Sequence, residues 1–212
     1  MTDFFRTDVN DRSFIRGAAR LLYAPITTSK PTRISDIIAL ASGAGTDLYD
    51  PVYTSTSNGW VDLGATKTGI QISVNNTEES FDIDQVLGDI DSLPTAWEVS
   101  VSTQLAEFTP EKLQICWEGS EITTANGEQS ISFGQPSSYT KRRLAVLFQR
   151  PNGSIRAYSF GVVQRLPQES TVTHNKTGEQ VSIPASFRVL PDFAVTDPKA
   201  RFFTIFDQEL PA

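Results

Sequence analysis

The sequence predicts a mainly β protein, an antiparallel sandwich or barrel-like domain with one packed α-helix. Three observations carry that expectation. Trp97, Val99, Val101, Thr103 and Leu105 interleave with Glu98, Ser100, Ser102 and Gln104, and Val181, Ile183, Ala185, Phe187 and Val189 repeat the pattern. Such period-two alternation marks strands with one buried and one wetted face. Leu144, Val146 and Phe148 then lead into Arg150-Pro151-Asn152-Gly153, and Ile155 to Val163 returns; Asn-Gly between two apolar runs signals a tight hairpin. One segment, Thr109–Glu118, reads as a clear helix.

Taken in order, residues 1–12 are polar and read as an N-terminal arm, and Phe14 to Ile26 as the first strand, closed by Pro25 and Thr27-Thr28-Ser29. Between residues 29 and 58 the pattern loosens into a long connection. Within it Arg33–Leu40 suits a short helix, with Thr32 as N-cap and Asp36 in the first turn. Ser42-Gly43-Ala44-Gly45 and Asp50-Pro51 break it. Connections of this length in a compact domain tend to be functional. A strand follows with Phe81, Ile83 and Leu87 on one face and Asp82 and Asp84 on the other, and after it the strand at 97–105. For the helix, Thr109 is the N-cap, Pro110 the first helical residue, Glu111 complements the N-terminal dipole, and Gly119 suits C′. Leu113, Cys116 and Trp117 share its apolar face. With Trp97 they form the expected core anchors. Asn126-Gly127 sits in a less regular 119–140 connection. Pro184 lacks a donor, which places its strand at an edge or a bulge. Arg201–Phe206 is a last apolar strand before a short tail, 207–212. No internal repeat or low-complexity tract appears, and the 212 residues form one domain.

A single cysteine, Cys116, excludes an intramolecular disulfide framework and a cysteine-rich zinc site, and suits assembly in a reducing cytoplasm. No stretch approaches eighteen apolar residues, so no helical membrane span is expected. The first eight residues lack the basic and apolar segments of a signal peptide. The charge is strongly localised. Nine carboxylates (Glu78, Glu79, Asp82, Asp84, Asp89, Asp91, Glu98, Glu107 and Glu111) lie between Lys67 and Lys112 with no Lys or Arg among them. The chain as a whole has net charge −7, so everything outside that segment sums to +2. A sheet face so charged repels polyanions.

Enzyme chemistry finds little footing. His174, the only histidine, lies in a polar stretch and reads as a surface residue. No Gly-x-Ser-x-Gly elbow occurs, and Ser42-Gly43-Ala44-Gly45 lacks the Gly-Lys-Ser/Thr ending of a phosphate loop. Asp82 and Asp84 on one strand face stand roughly 7 Å apart, near the range for two-carboxylate glycoside chemistry or for oxygen ligation of a hard cation. A solvated acidic face is the simpler reading, and Cys116 on the apolar helix face reads as core. No catalytic, metal or cofactor site is expected.

The run Trp60-Val61-Asp62-Leu63-Gly64-Ala65-Thr66-Lys67, followed by Gly69–Val74, Glu79–Gln85, Trp97–Val101 and Thr103–Glu107, resembles the major tail tube proteins of long-tailed bacteriophages. The opening Gly17–Pro25 is similar to their first strand. The similarity is clearest over residues 13–28 and 58–120. It implies a non-enzymatic virion protein, made in the host cytoplasm, that forms hexameric rings stacked into a tail tube. Implied partners are further copies of itself, the tape measure, terminator, baseplate or tip and possibly sheath proteins, and duplex DNA in passage. On that resemblance the lumen-facing candidates are Asp82, Asp84, Glu98, Ser100, Ser102 and Gln104. The long loop would contact the next ring through Tyr49, Asp50, Tyr53 and Trp60. Two alternatives stay open: the tube protein of a type VI secretion or other contractile injection system, and a carbohydrate-active β-sandwich using Asp82 and Asp84.

Overall fold

The computed structural model describes residues 19–41, 60–81, 91–107, 109–149, 154–166, 172 and 181–208. Among the described residues ten strands fall in the order β1 Ala19–Pro25, β2 Val61–Asp62, β3 Thr66–Phe81, β4 Asp91–Leu105, β5 Ser120–Ala125, β6 Glu128–Phe133, β7 Lys141–Gln149, β8 Ile155–Arg165, β9 Ile183–Leu190 and β10 Phe203–Asp207. Helix α1, Ile34–Ala41, precedes β2, and α2, Pro110–Cys116, follows β4. The fold is mainly β with antiparallel sheets, sandwich-like, as the alternation predicts.

Eight strands form one sheet ordered β2-β1-β7-β8-β9-β4-β3, with β10 also paired to β8. Strand β8 is where this sheet divides. Its first half, through Phe160, pairs with β10, and its last residues, Val162–Arg165, pair with β9. The division lets the β9-β4-β3 part fold over β1-β7-β8, and Tyr23 on β1 meets Phe187 on β9 with ring centroids 6.0 Å apart. Between them lies the main core: Leu21, Leu144, Val146, Phe160, Val163, Val99, Val101, Leu105 and Phe187, closed by Leu113 and Cys116 of α2. Residues of opposite parity on the same strands, Leu22, Ala24, Ala145 and Leu147, form a second core under Ile37 of α1 and Trp60. β1 and β7 are therefore buried on both faces, which is why they read as continuous apolar runs.

Local chemistry accounts for the elements. The Thr109 hydroxyl accepts from the Lys112 amide at 3.4 Å, and Pro110 opens α2. Trp117 ends the helix by donating its amide to the Leu113 carbonyl, one residue earlier than the sequence suggests. At the start of α1 the Asp36 carboxylate accepts from the amides of Thr32 and Arg33, so the reaching side chain is Asp36. Those hydrogen bonds, led by the Thr32 amide, hold its carboxyl below the usual range. Asn126 and Gly127 both have positive φ and make the two-residue turn of the β5–β6 hairpin, in a region expected to be irregular. Pro184 meets its expectation locally: β9 pairs with β4 along residues 183–189, but with β8 only from Phe187 onward.

Arg165 closes one end of the main core. Only 6% exposed, it donates to the Cys116 carbonyl at 2.5 Å and the Ser186 carbonyl at 2.7 Å. One guanidinium thereby joins the C-terminus of α2 to β8 and β9.

Candidate assembly surface

The outer face of the β9-β4-β3 part carries four of the residues singled out from the sequence. Val99, Val101, Thr103 and Leu105 are buried, so Glu98, Ser100, Ser102 and Gln104 stand together on the opposite face. Register fixes their neighbours. Glu98 pairs with Asn75, Ser100 with Ser73 and Arg188, Ser102 with Gln71 and Ser186, and Gln104 with Pro184. The wall is rich in hydroxyls and amides. It includes a shallow hollow of about 270 Å³ lined by Gln71, Ser102, Gln104 and Ser186 among others.

This face is less acidic than the count along the chain suggests. Glu98 shares it with the exposed Arg188. Glu107 is turned away, accepting from the Ala65 amide at 2.9 Å and pairing with the Lys112 ammonium. Glu111 sits on the first turn of α2 and accepts from Gln129 at 2.8 Å. Carboxylates counted in sequence were thus consumed by a loop and a helix terminus. Asp82 and Asp84, with the 82–90 stretch, lie outside the described residues. So do Tyr49, Asp50 and Tyr53, as do His174 and Asn152-Gly153.

Two tryptophans exchange the places expected for them. Trp60, proposed from the resemblance as a contact to the next ring, is 2% exposed and packs in the second core with Ile37 and Ile155. Trp97, expected as a core anchor, is 55% exposed. The reason is the length of β4. Its pairing with β9 ends at Val99–Val189, whereas its pairing with β3 runs on to Asp91–Phe81. Beyond Val99 the β3–β4 ribbon overhangs the sheet, and among the described residues no layer lies opposite its apolar face. Val74 is 45% exposed, and Trp97 meets Phe202 with ring centroids 6.4 Å apart. Leu113 and Cys116 are buried as expected, and Trp117 is partly buried against Phe133, an edge-on contact at 5.3 Å.

The same ribbon forms the edge of the sheet. Among the described residues β3 has β4 on one side and no strand on the other, over sixteen residues. Gly69, at φ +75° inside a break of register with β4, turns this strand, and the Thr103 hydroxyl donates to the Gly69 carbonyl at 2.6 Å. A long strand edge with no described strand beside it is a template for another chain.

Nucleophilic chemistry has no foothold at Cys116, whose thiol burial pushes up to about 11. Among the described residues no three His, Cys, Asp or Glu side chains cluster as metal ligands, and no helix is long and apolar enough to cross a membrane. Compared with known proteins, the chain matches no family model and no curated sequence.

Proposed function

We propose that this chain is the structural subunit of a phage tail tube, assembling as hexameric rings that stack around a channel for DNA. The observation that carries the reading is the overhanging β3–β4 ribbon. It combines a long strand edge with no described strand beside it, an exposed apolar face at Val74 and Trp97, and a polar opposite face. An edge of that kind favours head-to-tail contact between copies, and such contacts close into rings when the rotation allows. The resemblance of residues 13–28 and 58–120 to tail tube proteins supplies the ring number, the stacking, the virion tail location and the companion tail proteins.

Function under this reading is passive. Duplex DNA carries two phosphates per base pair and binds to any basic wall. A lumen wall of Ser, Gln and Asn with Glu98 and a single Arg188 offers little for phosphate to hold, so the genome slides past. The acids of the 78–91 segment would add repulsion where they meet the channel. An injection-system tube would use the same wall for a protein cargo, and the polyanion-repelling charge favours DNA.

Sedimentation velocity of the purified chain over a concentration series tests the reading. Discrete species many times the 23.3 kDa chain are expected as concentration rises. A single monomer boundary at every concentration, with and without added crowding agent, would count against it.

A further inference from the structure

A second surface lies where β8 divides. Ile26, Val162, Leu190 and Pro191 floor an open cleft of about 580 Å³, rimmed by Lys141, Arg143 and Phe193. That volume is in the range of ligand-sized clefts, roughly 300–1,000 Å³. Phe193 is 77% exposed, the highest value among the large apolar side chains described, and the Arg201 guanidinium stacks over its ring at 5.5 Å. Its neighbour Asp192 is 7% exposed and built into the wall. One Asp192 oxygen accepts from the Ala194 amide at 3.1 Å, and the other faces Arg143 at 3.8 Å. Arg143 is likewise fixed, donating to the carbonyls of Ile26 and Gly161. Lys30 is half-buried beside this pair: burial lowers its ammonium, opposed by the charge of Asp192. Two cations, Arg143 and Lys30, thus act on the one anion Asp192, and Lys141 is exposed at the rim.

The complementary surface is on the same chain. At the far part of the overhang Glu79 pairs across the ribbon with Leu93, an exposed carboxylate beside a leucine that is 54% exposed. Residues 78–91 carry six carboxylates and no Lys or Arg. We infer that the cleft receives the β3–β4 ribbon of a second copy, with Leu93 entering the apolar floor and Glu79 meeting Lys30 and Lys141. The inference rests on the assembly reading and adds the seat of the contact. It is heterologous, since ribbon and cleft are different surfaces, and so it propagates from copy to copy. It also explains why a chain of net charge −7 gathers its acids in one segment and leaves the remainder positive: self-repulsion is converted into a steering term between copies.

An equal mixture of ¹⁴N- and ¹⁵N-labelled full-length chains, treated with a carbodiimide and digested, tests this contact. Mixed-isotope peptides joining Lys30 or Lys141 to Glu79 are expected. The variants Lys30→Glu/Lys141→Glu and Glu79→Lys should each weaken self-association by on the order of tenfold at low salt. Mixing these two variants should recover much of the loss, because each supplies the charge its partner now needs. Assemblies that form without the crosslink, and that ignore both substitutions, would overturn the cleft contact and leave the tube reading standing. Crosslinked pairs that never grow into rings would support the contact and remove the tube reading. Absence of both association and crosslink would overturn the two together.

Discussion

Arg165 offers the sharpest test of how the two parts of the sheet are held together. Replacing it with Met keeps an unbranched apolar stem and removes the guanidinium. The Ser186 carbonyl retains a partner, since the Leu166 amide also donates to it at 2.9 Å. The Cys116 carbonyl belongs to the last turn of α2, where carbonyls have no intrahelical partner, and Arg165 is the donor that reaches it. Stranding one buried carbonyl costs about 1–3 kcal/mol, and each charge-assisted hydrogen bond contributes about 1.5–3 kcal/mol. Relief from burying a cation offsets part of this, and burial indeed lowers the Arg165 pKa. A net loss of about 2–4 kcal/mol is expected. For a chain of this size each kcal/mol is worth about 2–4 °C of Tm. Urea unfolding read by tryptophan fluorescence should show the midpoint fall with an unchanged slope, and Arg165→Lys should lie between Met and the parent. A loss below about 1 kcal/mol for Arg165→Met, with the slope unchanged, would refute the claim that this side chain joins α2 to β8 and β9.

The two tryptophans should behave oppositely. Trp60→Ala should cost about 3–5 kcal/mol, while Trp97→Ala should cost under about 1 kcal/mol in the monomer and weaken association; equal losses in urea unfolding would contradict the burial described. Burial raises the Glu118 carboxyl pKa, against the Thr140 amide and the charges of Arg142 and Arg165. The folded chain then holds this proton more tightly than the unfolded one, so stability falls as pH rises from about 4.5 through the raised value. Glu118→Gln should therefore gain on the parent between pH 4 and pH 7, and a difference that is flat with pH would dismiss the effect. Thiol labelling of folded Cys116 at pH 8 should be slower than in urea by at least about 100-fold, from the raised pKa alone; equal rates would show that α2 leaves the core readily.

What the sequence revealed was whatever depends on neighbours along the chain. Alternation at 97–105 placed Glu98, Ser100, Ser102 and Gln104 on one face, and Thr109-Pro110 placed the start of α2. What it hid depends on where other strands stop. Period two persists through Trp97, but β9 ends opposite Val99, so the alternation runs past the edge of the core. Trp60 follows an aperiodic connection, and nothing in its surroundings signals that it fills the space under α1. The acidic face was overestimated because a count along the chain ignores direction, and Glu107 and Glu111 turn to Lys112 and Gln129. The cations of the cleft were legible, since Lys141 and Arg143 belong to a basic stretch at 141–165 that suits acids on an adjacent copy. The cleft itself was not, because they meet Asp192 only where β8 divides beside Gly161, where an added Cβ would lie 2.6 Å from an Asp192 oxygen.

Negative-stain electron microscopy of the purified chain, taken across a concentration series, bears most directly on the assembly claim. Rings of six copies with a central hole are expected, and stacks of such rings at higher concentration. Solid particles without a channel, or dispersed monomers at every concentration, would contradict it.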